Sequence, residues 1–388
     1  MNRTEPPAGR LTRYAVITGA IAIASLSGRT ADLHTTFSSP ALAAAQAVED
    51  AGDRPKGTLW VVNRDLGHLA IFDAATGDLV AGPLPVGRGA HDICISEQAH
   101  KAYITAETDN VVTVVDTETL ATESIPVSPL PHHLEPSNDG HTIYVSLASH
   151  PQTLPAIGAP QYAAIDTRDN SVTYVTTSGN ANARSHGVTP TLDGDKIYVA
   201  HDTGNEVTGI DLETGNVDFS VPGILRAEEV IPSKSGDVLW VSSRGDGSAK
   251  RIDLGSHAIT ASVPLGVQPE SIMLTPNERT LVVGLRGSLA TPTSPAFLPS
   301  LGFVDTTTVD ELTPVVQVIP YAGAGSVGDL AVMTPNGHYV FATYDKGIPG
   351  TGGVVVVDVR TRQIVDRWEY PGTGRPHGLW YSRKAARF

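Results

Sequence analysis

From residue 57 onward, short apolar runs alternate with polar turns, and no stretch keeps the 3.6-residue period of an amphipathic helix. One apolar run ends in an aspartate and recurs seven times, at intervals of 42 to 53 residues. The seven aspartates are Asp73, Asp116, Asp166, Asp211, Asp253, Asp305 and Asp358. Apolar runs bounded by Thr- and Gly-containing turns are typical of short strands. The pattern therefore predicts a β protein built from seven repeats.

Each repeat has room for four short strands, which predicts an all-β fold, a seven-bladed β-propeller. A single four-stranded blade cannot bury both of its faces, so the blades must stack around an axis. The first repeat lacks an inner strand, whereas residues 377–382 have the sequence of an inner strand without partners. We therefore expect this C-terminal strand to complete the first blade, an arrangement known as velcro closure.

The repeat has three recognisable parts. They are Tyr-Val-x followed by Asn or a small residue, then Val-x-Val-Asp-Thr-x-Thr, then a Ser/Thr-Pro-x-Gly turn. This motif resembles the forty-residue YVTN-type repeat of bacterial seven-bladed propellers, and it covers residues 57–388. The resemblance implies the fold and leaves the function open. Such propellers include surface and periplasmic binding proteins, relatives of lactone-forming and lactone-hydrolysing enzymes, and metal-dependent lyases.

The N-terminus has the organisation of an export signal. Arg3, Arg10 and Arg13 precede an apolar run of about 13 residues, which is shorter than a membrane span. Small residues at 41–47 offer a cleavage site. We predict a leader at 1–47, a linker at 48–56 and a secreted, periplasmic or cell-surface propeller at 57–388. The alternatives are an uncleaved anchor or a disordered leader.

Composition restricts the partners and the kind of metal site. The net charge of −14 repels nucleic-acid phosphates and anionic membranes. We therefore expect no nucleic-acid partner, no membrane contact after signal cleavage, and a monomer. The single Cys excludes cysteine-rich zinc modules and CxxC redox motifs. Any metal would have to be held by His, Asp or Glu.

One column of the aligned repeats contains only metal-ligating residue types. It lies just before the apolar part of each inner strand and consists of His91, His132, His186, Glu228, Glu270, Asp329 and His377. The chain has only 41 acidic residues and 13 His among 388, so chance does not explain seven out of seven. Inner strands begin close to the propeller axis, and the seven side chains should converge there.

Four imidazoles on consecutive blades predict a transition-metal site holding Fe, Cu or Zn. Its predicted ligands are His91, His132, His186, His377 and Asp329. If the protein is an enzyme, we expect Glu228 or Glu270 to carry the proton. The alternative is a polar lining of a solvated channel mouth. His133 follows His132 directly, and strand alternation is expected to turn it away from its neighbour.

A second set of candidates comes from loops that return to the same face. The predicted substrate-binding residues are Arg64, His201, Arg244 and Arg286. Arginine pairs bidentately with carboxylate or phosphate, which favours a small anionic or oxygenated ligand at the channel mouth. Salt bridges between these arginines and the acids of the column would explain them equally well.

Three functions remain open at this stage. The first is an exported propeller whose axial His/acid metal site binds a small anionic or oxygenated molecule and, as an enzyme, transforms it. The second is a non-catalytic periplasmic or surface binding scaffold. The third is a metal-free lactonase-like enzyme that uses Arg and His at the mouth. Bound metal would separate the first function from the other two.

Overall fold

The structure of the chain, a computed structural model, describes residues 54–148, 161–176, 183–266, 268–288, 296–310, 314–323, 326–345 and 352–384. The chain divides into two units, 1–52 and 53–388, and the described residues all belong to the second. The predicted leader at 1–47 lies outside them. They form 28 strands and one short 3-10 turn, and no helix among them is long and apolar enough to cross a membrane.

The strands form seven antiparallel four-stranded sheets, which confirms the predicted fold class. Blade 1 contains β1 (Thr58–Asn63), β2 (His68–Asp73), β3 (Leu79–Pro85) and β28 (Pro376–Ser382). Blade 2 contains β4 (Ala90–Ser96), β5 (Lys101–Ala106), β6 (Val111–Asp116) and β7 (Thr122–Pro126). Blade 3 contains β8 (Pro131–Pro136), β9 (Thr142–Leu147), β10 (Gln161–Asp166) and β11 (Val172–Thr176). Blade 4 contains β12 (Ser185–Pro190), β13 (Lys196–His201), β14 (Glu206–Asp211) and β15 (Val217–Pro222).

In blade 1 the inner strand is β28, and in the other blades the strands run in chain order from the inner to the outer strand. Blade 5 contains β16 (Ala227–Pro232), β17 (Val238–Ser243), β18 (Ser248–Asp253) and β19 (Ala258–Pro264). Blade 6 contains β20 (Pro269–Leu274), β21 (Thr280–Leu285), β22 (Ser300–Asp305) and β23 (Val316–Pro320). Blade 7 contains β24 (Val327–Met333), β25 (Tyr339–Asp345), β26 (Gly352–Asp358) and β27 (Gln363–Glu369).

The two ends of the propeller meet in blade 1, as predicted. Strand β28 pairs antiparallel with β1, so that Leu59 lies opposite Tyr381 and Val61 lies opposite Leu379. This pairing covers the inner edge of β1, which would otherwise expose unpaired backbone groups. The inner strands of neighbouring blades contact one another around the whole circle.

The hydrophobic core is distributed between the blades. Where blades 7 and 1 meet, Trp368 stacks on Phe72 at 6.0 Å and lies 5.5 Å from Phe341, measured between ring centroids. Buried aliphatic side chains from both blades surround these rings. Because burial of such side chains is the main stabilising term, the stability of the ring comes from blade stacking and leaves the axis free for polar groups.

Every inner strand carries a β-bulge at the same place. In β4, Ala90 pairs with Ala106 and Ile93 pairs with Ile104, so three steps along one strand match two along its partner. The same shift occurs in the other six inner strands. A bulge of this kind leaves one residue unpaired and changes the direction of the side chains beside it.

Removal of residues 376–388 should disrupt the closed ring. The deletion exposes the inner edge of β1 and the apolar surface that Leu379 covers. We expect the melting temperature to fall by more than about 10 °C, because the loss amounts to several kcal/mol. Thermal unfolding followed by circular dichroism measures this, with deletion of residues 385–388 as the control. An unchanged melting temperature in the longer deletion would contradict the closure.

A candidate metal centre on the propeller axis

The bulges place two rings of side chains on the axis. The upper ring contains the residues of the predicted column, namely His91, His132, His186, Glu228, Glu270, Asp329 and His377. The lower ring contains the residues that follow them, namely Asp92, His133, Gly187, Glu229, Ser271, Leu330 and Gly378. No residue of the upper ring is more than 6 % exposed. These residues are therefore buried, unlike the lining of a solvated mouth.

The four predicted imidazoles form one continuous row across four blades. The ring centroids of His377 and His91 lie 4.1 Å apart, and those of His91 and His132 lie 3.9 Å apart. His186 follows at 4.5 Å from His132. Asp329 lies at the other end of the row, with Oδ1 at 3.5 Å from Nε2 of His377.

The expectation that His133 turns away from the site is wrong. Its ring lies 4.6 Å from that of His132, 4.9 Å from that of His91 and 4.6 Å from that of His186. Strict alternation holds only where the strand ladder is regular, and the bulge interrupts the ladder at these two residues. Two consecutive histidines at the start of an inner strand are the sequence signal for this fifth imidazole.

Hydroxyl groups on the second strands hold the bulges in place. The Ser146 hydroxyl accepts a hydrogen bond from the His133 backbone N–H at 3.0 Å. The Thr105 hydroxyl, on the neighbouring blade, donates to the His132 carbonyl at 2.6 Å, and Thr343 does the same for His377 at 2.6 Å. These bonds satisfy backbone groups that the bulge removes from the ladder. Sequence reasoning missed this role, although both Ser and Thr end the second-strand motif.

Two lower-ring glycines allow neighbouring inner strands to approach closely. A Cβ at Gly378 would lie 2.5 Å from the His91 carbonyl oxygen, and one at Gly187 would lie 2.4 Å from the Glu228 carbonyl oxygen. Because the strands are this close, Nδ1 of His377 donates to the His91 carbonyl at 2.8 Å. Nδ1 of His186 likewise donates to the Glu228 carbonyl at 3.0 Å. The proton at Nδ1 leaves the Nε2 lone pair directed away from the backbone.

Carboxylates fix two further imidazoles. Nδ1 of His132 forms a short hydrogen bond with Glu107, and Nδ1 of His133 lies 3.0 Å from Asp92 Oδ2. Burial opposes ionisation of Glu107, but the His132 hydrogen bond lowers the pKa of its carboxyl to about 2. Burial and the neighbouring His186 lower the pKa of His132 to about 3, so this imidazole is neutral. Carboxylates behind imidazoles orient the ring and increase the basicity of the free nitrogen.

The free nitrogens of this cluster have no hydrogen-bond partner among the described residues. They are Nδ1 of His91 and Nε2 of His132, His133 and His377. Ligand nitrogens of His91, His132 and His133 lie within 4.8 Å of one another. A zinc-sized ion takes nitrogens at about 2.0–2.1 Å, which needs a mutual spacing of roughly 3–4 Å. Side-chain adjustments of about 1 Å would close this group around a metal ion.

His186, Glu228 and Glu270 form a second group with different character. Nε2 of His186 lies 2.6 Å from Glu228 Oε2, and Arg244 contacts Oε1 of the same carboxylate at 3.1 Å. Arg286 lies 3.1 Å from Glu270. The guanidinium groups already neutralise both carboxylates, so the group is better suited to holding or moving a proton than to binding a second cation.

The arginines of this face are engaged with acids of the protein. Six arginines, Arg64, Arg184, Arg226, Arg244, Arg286 and Arg375, contact six carboxylates, Glu107, Asp202, Glu228, Glu270, Asp329 and Asp345. Three of the predicted substrate-binding residues, Arg64, Arg244 and Arg286, belong to this set. The fourth, His201, bonds instead to Thr208 of its own blade at 2.9 Å. Each of these arginines therefore has an acidic partner within the protein, as the salt-bridge alternative expects, and substrate binding by them stays a prediction.

Comparison with known proteins identifies the fold. No protein-family model and no curated protein matches the chain. Among solved structures, the Pseudomonas aeruginosa periplasmic gluconolactonase PpgL is 15 % identical, with a TM-score of 0.61 over 84 % of this chain and 98 % of that one. Dihydro-heme d1 dehydrogenase NirN is 17 % identical, with a TM-score of 0.56 over 85 % and 77 %. Kuenenia stuttgartiensis hydrazine synthase is 17 % identical, with a TM-score of 0.59 over 76 % and 89 %. These likenesses show a shared propeller fold.

Replacement of Gly378 by Ala should separate β28 from β4. The new Cβ would meet the His91 carbonyl at 2.5 Å and the Asp92 Cα at 2.6 Å. Overpacking of this kind costs about 1–3 kcal/mol of unfolding free energy. Urea unfolding measures the loss. Gly323→Ala is the matched control, because nothing lies within 4 Å of its Cβ position. Equal unfolding free energies of the two variants would show that the close spacing of β28 and β4 does not require glycine at position 378.

Proposed function

We propose that this chain is an exported metalloprotein that binds one transition-metal ion, Fe, Cu or Zn, on the propeller axis. The ligands are His91, His132 and His133, with His377 next to them. The observation that carries the proposal is that one ring nitrogen from each of His91, His132 and His133 lies within 4.8 Å of the others. Each of these imidazoles also has a buried nitrogen without a hydrogen-bond partner among the described residues. A buried polar atom without a partner costs about 1–3 kcal/mol, and a metal ion would relieve this cost at several atoms together.

The charge distribution along the axis supports a cation at this position. On the upper side, the arginines and carboxylates balance one another. On the lower side, Asp92 and Glu229 lie 3.0 and 3.7 Å from Nδ1 of His133. Among the described residues, no Arg or Lys forms an ion pair with either acid. Burial opposes protonation of His133, but Asp92 and Glu229 raise the pKa of its imidazole to about 9, so the positive charge that these acids face is the imidazolium proton. A metal ion bound at His133 would take the place of that proton and match the same negative charge.

As an enzyme, the protein would act on a small oxygenated molecule bound at this ion. The metal would supply Lewis-acid or redox chemistry. The His186–Glu228 pair would hold or accept a proton beside it, and Glu270 would hold its neighbour Arg286 in place. An anionic substrate finds less support than the sequence suggested, since the arginines are already paired. If the protein binds no metal, the alternatives are a binding scaffold and a metal-free lactonase-like enzyme.

The location belongs to the same proposal. The charged and apolar pattern of residues 1–47 and the resemblance to YVTN repeats both support export to the periplasm or beyond. PpgL, which shares the fold, is described as periplasmic. We therefore propose that the metal is acquired, and the substrate met, outside the cytoplasm.

Purified protein should contain about one equivalent of transition metal after incubation with Fe, Cu, Zn or Ni. His91→Ala combined with His133→Ala should reduce this to below about 0.1 equivalent, because two of three neutral nitrogen ligands are lost. Elemental analysis measures the stoichiometry. Substitution with Co(II) adds a ligand-field spectrum that reports nitrogen coordination.

His141→Ala, an exposed histidine outside the cluster, is the control and should leave the metal content unchanged. Circular dichroism of the double variant verifies that the propeller remains folded. Absence of metal from the unaltered protein after exposure to all four ions would refute the proposal and favour the binding scaffold.

Mature protein should begin between residues 28 and 48. The expectation follows from the Arg-flanked apolar run and the small residues at 41–47. N-terminal sequencing of protein recovered from the periplasm or the medium tests it. Recovery of protein that still carries residues 1–20 would contradict cleavage.

A further inference from the structure

A chamber lies on the axis beneath the imidazole cluster. Its volume is about 270 Å³, and all seven inner strands contribute to its wall. The lining begins at the lower ring, with Asp92, His133 and Glu229, and continues along the strands to Ile231 and Val332. Since these strands start at the arginine-lined face, the chamber extends from the cluster toward the opposite face of the propeller.

The charged groups of the chamber are all acidic apart from His133. The acids are Asp92, Glu135 and Glu229, and no Arg or Lys is among the described lining residues. The chamber differs in this respect from the upper side, where every carboxylate of the cluster has a guanidinium partner. His133 is the one described lining residue that can carry a positive charge, and three carboxyl groups share the chamber with it. A cation is therefore favoured over an anion in this chamber.

Most of the remaining wall is apolar. It includes Ile272, Leu330 and the indole of Trp380. A fully hydrated inorganic ion gains nothing from aliphatic side chains, whereas an organic cation buries its carbon atoms against them. An aromatic ring adds a favourable surface for an ammonium group. At about 30 Å³ per water molecule, the volume corresponds to roughly nine waters, which limits the ligand to a small molecule.

His133 connects the chamber to the cluster above it. Its side chain lines the chamber and is only 4 % exposed, and its Nε2 has no hydrogen-bond partner in the part of the chain that the structure describes. The same imidazole belongs to the three-histidine group. A molecule that fills the chamber consequently lies next to the proposed metal position.

We infer that the chamber is a second ligand site, next to the metal position, and that its ligand is a small organic cation, an amine with a short apolar chain. The ligand approaches the cluster from the face opposite the arginines. Cation binding in the chamber follows from its acids and walls, whereas the approach to a metal rests on the proposed function. The two parts can be tested separately.

Three probes of equal chain length separate charge from shape: propylammonium, propan-1-ol and propionate. Isothermal titration calorimetry at pH 7.5 measures their binding to metal-free and metal-loaded full-length protein. We expect propylammonium to bind at least about tenfold more tightly than propan-1-ol, and propionate not to bind. Glu229→Gln should weaken propylammonium binding about tenfold. Glu213→Gln removes the same charge at an exposed turn and should have no effect.

Propionate binding equal to that of propylammonium overturns the inference, as does an unchanged propylammonium affinity in the Glu229→Gln variant. The probe series on unaltered protein remains decisive if a variant fails to fold. Selective propylammonium binding by protein that takes up no metal supports the chamber site while removing the proposed metal centre. Metal uptake without any preference for the amine supports the metal centre and rules out the chamber site.

Proximity to the metal has its own readout. In Cu(II)-loaded protein, the methylene proton resonances of propylammonium should broaden through paramagnetic relaxation, and Zn(II)-loaded protein is the diamagnetic control. Broadening abolished by Glu229→Gln supports the approach from the chamber. Amine binding by calorimetry without broadening in the Cu(II) protein overturns it.

Discussion

The site depends on the bulge that interrupts each inner strand close to its first residue. A regular strand would send only one of two consecutive side chains to the axis. The bulge brings both, which is how β8 contributes His132 and His133 to one cluster. Hydroxyl groups such as that of Ser146 bond the backbone groups that the bulge leaves without a ladder partner. Without these bonds, the buried N–H groups would favour a regular ladder and a single ring of side chains.

The second determinant is the separation of charge along the axis. Above the imidazoles, guanidinium groups pair with carboxylates, as Arg375 and Arg286 do with Asp329. Below them, Asp92 and Glu229 have only His133 as a partner of opposite charge. Burial raises the pKa of Glu229 to about 7, and the opposing attraction to His133 does not cancel this effect. Near neutral pH, Glu229 is therefore only partly ionised. The lower side differs from the upper side because, among the described residues, its acids have no guanidinium partner.

Much of this architecture was predictable from the sequence, because it follows from repetition. The seven Asp-terminated strands and the orphan segment at 377–382 determine the blade number and the closure. The column containing His91, His132, His186 and His377 predicts which side chains share the axis. The position of His133 was not predictable from alternation alone, since the bulge depends on hydrogen bonds with a neighbouring strand. The sequence also did not predict which carboxylate each arginine contacts, because ion pairs between blades depend on the side-chain conformations in the folded structure.

The chamber was beyond sequence reasoning for a different reason. Residues such as Ile272 and Leu330 have the same apolar character as side chains that fill the interfaces between blades. Nothing in their local pattern indicates that they surround open space instead. That space lies along the central channel of the propeller, around which the seven inner strands stand. Gly187 and Gly378 do not create it, because the backbone of a neighbouring strand fills the position where each Cβ would lie. These glycines instead bring neighbouring strands close enough to orient His186 and His377, so the strand approach determines the imidazoles and the channel determines the chamber.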